Sequence, residues 1–116
     1  MYEDKNMRFL ISFLKKKAKE NDALIWKRVA ELIDRPRRRR IAVNISKINR
    51  YTQENDWVII PGKVLGAGEL DHPVNLAAVK YSEKAYRKLI ESGSKIYKIK
   101  EFVELNPKGS GVKIIV

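Results

Sequence analysis

Trp57-Val58-Ile59-Ile60-Pro61-Gly62-Lys63-Val64-Leu65-Gly66 is the stretch of this 116-residue chain from which a fold can be built. Trp57-Val58-Ile59-Ile60 is a compact run rich in β-branched residues with no polar alternation, the pattern of a strand buried on both faces. Pro61-Gly62 predicts a stop, since proline brings no amide donor and glycine suits a tight turn. On this reading Lys63 stands exposed at the tip of a turn, and Val64-Leu65 is a second short extended piece. Further along, 74–81 reads as a strand in which Ala77 and Ala78 leave room for close packing. Ser82 and Glu83 open a helix through Ile90, and Gly93 suits its C′ position. A strand over 96–99, a short helix over 100–105 and a closing strand over 112–116 complete this half.

Upstream the period changes from two to about 3.6. Phe9, Leu10, Phe13 and Leu14 share one face of a helix over 7–19, with Asn6 as its N-cap. Ile25, Val29, Leu32 and Ile33 stripe a second helix from Asp22 to about 33, and Pro36 prevents its continuation. A third helix over 46–52 turns Ile45, Ile48 and Tyr51 or Thr52 inward. Helices first, then short strands alternating with helices, predict one mixed α/β domain over 1–116.

The chain carries 25 Lys+Arg against 14 Asp+Glu, a formal charge of +11, and a pI near 10.0. Residues 1–50 hold 15 of those bases and 6 acids; the remainder holds 10 and 8. So uneven a charge is the footprint of a polyanion binder, with nucleic acid the first candidate and an anionic membrane surface the second. The absence of cysteine removes disulfides, thiolate nucleophiles and Cys-containing zinc sites, and a single His excludes His-rich metal sites. No apolar run approaches the roughly 20 residues that span a bilayer, and none forms a signal segment. A soluble, intracellular protein without a cofactor is expected, with the sequon Asn44-Ile45-Ser46 accidental.

Arg35-Pro36-Arg37-Arg38-Arg39-Arg40 is the sharpest local feature. Guanidiniums so close repel one another unless an anion offsets the cost, and each planar fork matches two phosphate oxygens. Lys15, Lys16, Lys17, Lys19, Lys27 and Arg28 reinforce the charge. RNA or DNA contact is one reading; a solvated basic loop or a localisation signal is the other. The Gly62-Lys63 segment fails as a nucleotide-binding loop, because no glycine stands four residues ahead and Val64 occupies the Ser/Thr position. It reads either as an ordinary turn or as a turn whose backbone donors and Lys63 touch a phosphate of a large nucleic acid. Asn106-Pro107-Lys108-Gly109-Ser110-Gly111 reads as a connection or as a small contact surface carrying Lys108 and Ser110. His72 reads as an exposed loop imidazole, Trp26 and Trp57 as core anchors, and Tyr2 and Tyr51 as freer rings available for base stacking.

Four of these segments, in order, resemble a ribosomal family. They are Arg35-Pro36-Arg37-Arg38 after a Trp-containing helix, Val43-Asn44-Ile45-Ser46-Lys47-Ile48-Asn49-Arg50-Tyr51, Val58-Ile59-Ile60-Pro61-Gly62-Lys63-Val64-Leu65-Gly66, and Asn106-Pro107-Lys108-Gly109-Ser110. The chain is similar to large-subunit ribosomal protein eighteen-e of archaea and eukaryotes, a relative of bacterial large-subunit protein fifteen. The opening Met1-Tyr2-Glu3-Asp4-Lys5 departs from the basic arm common in that family. The lack of a long basic tail after Val116 points to the archaeal type. The resemblance implies N-terminal helices followed by an irregular superhelix of short strand–strand–helix turns. It also implies a non-catalytic, cytoplasmic role in the large subunit, with ribosomal RNA and neighbouring ribosomal proteins as partners and no membrane or small-molecule substrate. By the motif match, Arg35, Arg37, Arg38, Gly62 and Lys63 face RNA; Arg39, Arg40, Lys15, Lys16, Lys19, Lys27 and Arg28 join them on charge alone. Two further readings stay open: an enzyme taking a phosphate-bearing or nucleotide substrate at Gly62-Lys63, and a general architectural protein for duplex DNA.

Overall fold

A computed structural model describes residues 5–116. Tyr2 and the acidic opening of the chain lie outside them. The class is mixed α/β, as expected. Helix α1 spans Lys5–Glu20 and α2 Leu24–Ile33; β1 (Ile41–Asn44) follows and runs directly into α3 (Ile45–Tyr51). Then come β2 (Trp57–Leu65), β3 (Asn75–Tyr81), α4 (Glu83–Glu91), β4 (Lys95–Tyr97), α5 (Ile99–Leu105) and β5 (Val112–Ile114).

All five strands are parallel, and β2 organises them. Along one edge it pairs with β3, which in turn pairs with β4. Its other edge is divided: Trp57, Val58 and Ile59 pair with Val112, Lys113 and Ile114 of β5, whereas Gly62 to Leu65 pair with Ile41 to Asn44 of β1. Two apolar layers follow from the alternation of side chains along β2. Val58, Ile60 and Val64 pack with Ile45, Ile48, Ala85 and Leu89 of α3 and α4. Ile59 packs on the opposite face with Trp26, Val29, Phe102 and Val103 of α2 and α5, together with Leu14 of α1. A strand covered on both faces has no polar face to show, which is why Trp57-Val58-Ile59-Ile60 lacks alternation.

The expected turn at Pro61-Gly62 is a correction. β2 runs straight through both residues and ends at Leu65, so Val64-Leu65 is no separate strand, and Lys63 is half-buried within the strand rather than exposed at a tip. The pairing with β3 shifts between Ile60 and Lys63, where β2 carries one extra residue. Pro61, without an amide to donate, sits in that bulge. Gly62 serves the other edge, where the backbone of Ile41 comes so close that a side-chain carbon would not fit.

Smaller differences have similar causes. Asn6 lies inside α1 rather than capping it. Asp22 takes φ 51 in the turn, leaving Ala23 at the N-cap of α2. Ile99 begins α5 instead of ending β4, with Glu101 accepting from the Lys98 amide (2.9 Å) in the first turn. Of the two residues weighed for the inner face after α3, Thr52 is buried and Tyr51 is 54% exposed. Gly93 adopts φ 83 after α4, and the Ser82 hydroxyl caps that helix by accepting from the Ala85 amide at 3.1 Å.

The Asn106–Gly111 segment proves to be a fastening. Trp26 Nε1 donates to the Pro107 carbonyl at 2.7 Å and Lys108 Nζ to the Asn21 carbonyl at 2.8 Å, holding the segment on the α1–α2 corner. A second tie joins β5 to the start of β2. Asp56 accepts from Lys113 Nζ and from the Gln53 amide, both at 2.8 Å. The Lys113 ammonium first, and the Gln53 amide next, hold the Asp56 carboxyl below the ordinary carboxylate range. A carboxyl depressed in the folded state stabilises it above the unfolded value near 4, and that contribution is lost as pH falls through the folded value. We therefore expect Asp56→Asn to lower the melting temperature at pH 7 and to flatten its decline between about pH 5 and 2.5. A decline parallel to that of the unsubstituted protein would remove Asp56 as its source.

Candidate nucleic-acid interface

The Arg-rich segment owes its shape to Pro36. α2 ends at Ile33, and Pro36 is extended at φ −54 and ψ 149. Beyond it the Arg39 amide donates to the Pro36 carbonyl (2.8 Å) and the Arg40 amide to the Arg37 carbonyl (3.2 Å), closing one 3₁₀ turn over Arg37–Arg39. Arg40 Nε reaches back to the Arg35 carbonyl at 3.4 Å. Arg35, Arg37, Arg38 and Arg39 are exposed and Arg40 is half-buried.

The turn feeds into β1, and β1 lies in register against Gly62-Lys63-Val64-Leu65. The two segments that sequence singled out for their charge and their Gly-Lys pair are thereby brought to one place. Between them opens a cleft of about 390 Å³. Met7, Ile33, Ile41, Pro61 and Val79 form its apolar walls, and Arg37, Arg40, Lys63 and Lys80 bring four cations to it. No carboxylate stands among the described residues that line it. Lys80 carried no signal in the sequence, being a single base near the end of β3; only the pairing Lys63↔Lys80 places it here.

The remaining basic candidates do not converge on the cleft. Lys15, Lys16 and Lys19 are exposed on α1, Lys27 and Arg28 on α2, and none lines it. At a rise of 1.5 Å per residue Lys15 stands about 12 Å along α1 from Met7. Lys16 instead lies 3.9 Å from Glu20. Tyr51 is exposed with the Arg50 guanidinium 5.9 Å from its ring, also away from the cleft. Trp26 is fully buried, as a core anchor should be, while Trp57 is half-buried and stacks on Tyr97 at 5.5 Å.

His72 is not the exposed imidazole expected. Its side chain is only 15% accessible, with Nδ1 2.7 Å from Asp71 Oδ1 and Nε2 2.7 Å from Thr52 Oγ1. The contact with His72 holds the Asp71 carboxyl below its ordinary range. The carboxylate–imidazole–hydroxyl order has the outline of a nucleophilic triad, but Thr52 is buried and its hydroxyl donates to the Ile48 carbonyl at 2.7 Å. A hydroxyl already committed to a carbonyl has no proton to surrender to the imidazole. The trio is a strut joining the loop before β3 to the end of α3. Among the described residues no cluster of His, Asp and Glu could hold a metal ion, and no helix is long and apolar enough to cross a membrane.

No family model matches the chain. Curated proteins do. Large ribosomal subunit protein eL18 of Pyrobaculum aerophilum is 47% identical over 110 residues, covering 95% of this chain and 90% of that protein. The eL18 of Archaeoglobus fulgidus is 46% identical over 111 residues, covering 96% and 95%. The chain belongs to the eL18 family. A third eL18, from Methanothermobacter thermautotrophicus, is 46% identical over 110 residues. The eL18 family consists of ribosomal proteins of the large subunit, and its members are not enzymes. The enzyme reading of Gly62-Lys63 is thereby set aside. Geometry agrees, because Gly62 and Lys63 are ladder residues of a paired strand rather than a free loop able to wrap a phosphate.

Proposed function

We propose that this chain is a structural constituent of the large ribosomal subunit that binds folded ribosomal RNA with the face carrying the Arg37–Arg39 turn and Lys63. The observation that carries the proposal is the convergence of Arg37, Arg40, Lys63 and Lys80 on one cleft beside the exposed Arg35, Arg38 and Arg39, in a chain of the eL18 family. Where RNA helices converge, their phosphates repel. Cations fixed at the junction replace condensed counterions, whose release favours association and lowers the cost of bringing the strands together. Duplex RNA hides its base edges in a narrow major groove, so recognition rests on phosphates, 2′-hydroxyls and shape, with unpaired bases as the sequence-bearing supplement. Arg35, Arg38 and Arg39 extend the contact beyond the cleft. Lys15, Lys16, Lys19, Lys27 and Arg28, on the two N-terminal helices, form a separate basic surface for a second RNA segment. The less basic second half leaves room for neighbouring ribosomal proteins.

The test is binding to protein-stripped large-subunit RNA across a salt series, with duplex DNA as competitor. Saturable binding that survives the competitor is expected, with log K falling by about 0.7–0.9 per neutralised phosphate for each log unit of salt. Displacement by DNA at equal phosphate concentration would reduce the interaction to that of a polycation and favour a general architectural role.

A further inference from the structure

We infer that the groove along α4 seats an extended basic segment of a neighbouring ribosomal protein. This rests on the ribosomal reading above and names the surface and the chemistry of one protein contact. Tyr81, Glu83, Tyr86, Arg87, Ile90 and Glu91 line the groove, which holds about 620 Å³. α4 covers one face of the sheet; α1 and α2, whose Met7 and Ile33 line the Arg37 cleft, cover the other. A protein seated along α4 therefore leaves the arginines free for RNA.

The floor of the groove is apolar and open to solvent. Tyr86 is 50% exposed and Ile90 52%, and their spacing of four residues puts them on one face of the helix. The Tyr86 ring stands edge-on to that of Tyr81, with centroids 6.0 Å apart, which orients it before a partner arrives. Oriented aromatic rings of this kind anchor the centres of protein interfaces, because little rotamer freedom is lost on binding.

Charge selects the partner. The Arg37 cleft, a groove with Lys98 and Lys100 beside Phe9, and another with Lys47 and Lys113 beside Val116 are lined by cations and by no acidic side chain among the described residues. The α4 groove instead carries two carboxylates, Glu83 and Glu91, against one guanidinium, Arg87. Neither glutamate forms an ion pair among the described residues. Arg87 stands four residues from each and can offset only one of them at a time. On a chain of charge +11 this surface repels phosphates and attracts bases. The two glutamates lie eight residues apart, about 12 Å along the helix axis. Four residues of extended chain span about 13 Å, and side chains at even steps share one side of it. A segment with two basic residues four apart and an apolar one between them therefore meets both glutamates and the Tyr86–Ile90 floor.

The test is made in the subunit. Large subunits are reconstituted from protein-stripped RNA, the other large-subunit proteins, and equal amounts of unsubstituted and variant chain. Tyr86→Ala/Ile90→Ala and Glu83→Gln/Glu91→Gln are each expected to enter subunits at least about fivefold less often than the unsubstituted chain. Their affinity for the stripped RNA alone is expected to be unchanged. All four positions are exposed, and thermal melting reports the folding of both variants. In unsubstituted subunits a carbodiimide, which joins a carboxylate to a lysine amine with loss of water, is expected to link Glu83 or Glu91 to a basic stretch of one neighbouring protein. Equal incorporation of both folded variants would overturn the inference and leave RNA binding standing. Weakened binding of the folded variants to stripped RNA would overturn it too, by making this face an RNA contact. Failure of the unsubstituted chain to bind the RNA or to enter subunits would remove the ribosomal role itself, and the inference with it.

Discussion

Gly62→Ala is expected to destabilise the protein by about 3 kcal/mol or more, the upper end of what overpacking usually costs. A Cβ at residue 62 would stand 2.8 Å from the Ile41 carbonyl carbon and 2.9 Å from Ile41 Cβ, and closer still to the carbonyl oxygen. The obstacle is backbone, held by the ladder from Ile41↔Gly62 to Asn44↔Leu65. It cannot yield by a change of rotamer, so β1 must move as a unit. Moving β1 disturbs Ile41 and Val43 in one core layer and the Arg turn that precedes them. Gly111→Ala is the control: φ is 75 there and nothing lies within 4 Å, so only the left-handed backbone costs, about 1 kcal/mol. Urea unfolding midpoints of the two variants give the comparison, and equal losses would disprove the packing argument at Gly62.

The second large effect is on binding. Arg37→Ala/Arg38→Ala is expected to weaken association with large-subunit RNA by roughly tenfold to a hundredfold at low salt, since hydrogen bonds to charged groups contribute about 1.5–3 kcal/mol each and exposed ones less. The slope of log K against log salt should fall by about 0.7–0.9 for each phosphate that is no longer neutralised. Both residues are exposed, where lost contacts cost little, so the melting temperature should fall by no more than about five degrees. Unaltered affinity and slope in a folded double variant would take these two arginines out of the interface.

The helices were legible because their apolar positions recur with the helical period and because Pro36 and Gly93 mark real ends. β2 was legible as a buried strand but not in its length. Pro61-Gly62 is local turn chemistry in most settings; here each residue answers to a different strand neighbour, the proline to a bulge against β3 and the glycine to the carbonyl of Ile41. Such reasons lie in residues far along the chain and leave no local trace. β1 went unread because it is four residues long, contains one alanine and passes directly into α3. At the interface, charge alone exposed the arginine run. Lys80 was invisible, because only the pairing of β2 and β3 puts it on the same cleft as Lys63. Charge also grouped Lys15, Lys16, Lys19, Lys27 and Arg28 with the run, whereas the structure places them on α1 and α2, outside the cleft.

The divided edge of β2 bears on how the chain is made. During vectorial synthesis β1, β2 and β3 can assemble as soon as they emerge, but Trp57, Val58 and Ile59 keep one edge open until Val112, Lys113 and Ile114 arrive. An open parallel edge of apolar residues is a template for wrong partners, and closure by a distant segment is slow. The tie between Lys113 and Asp56 latches that segment once it docks. Chains in which β5 has not yet docked are therefore the aggregation-prone species, and the interval before Val112–Ile114 reaches β2 is when a chaperone has most to protect.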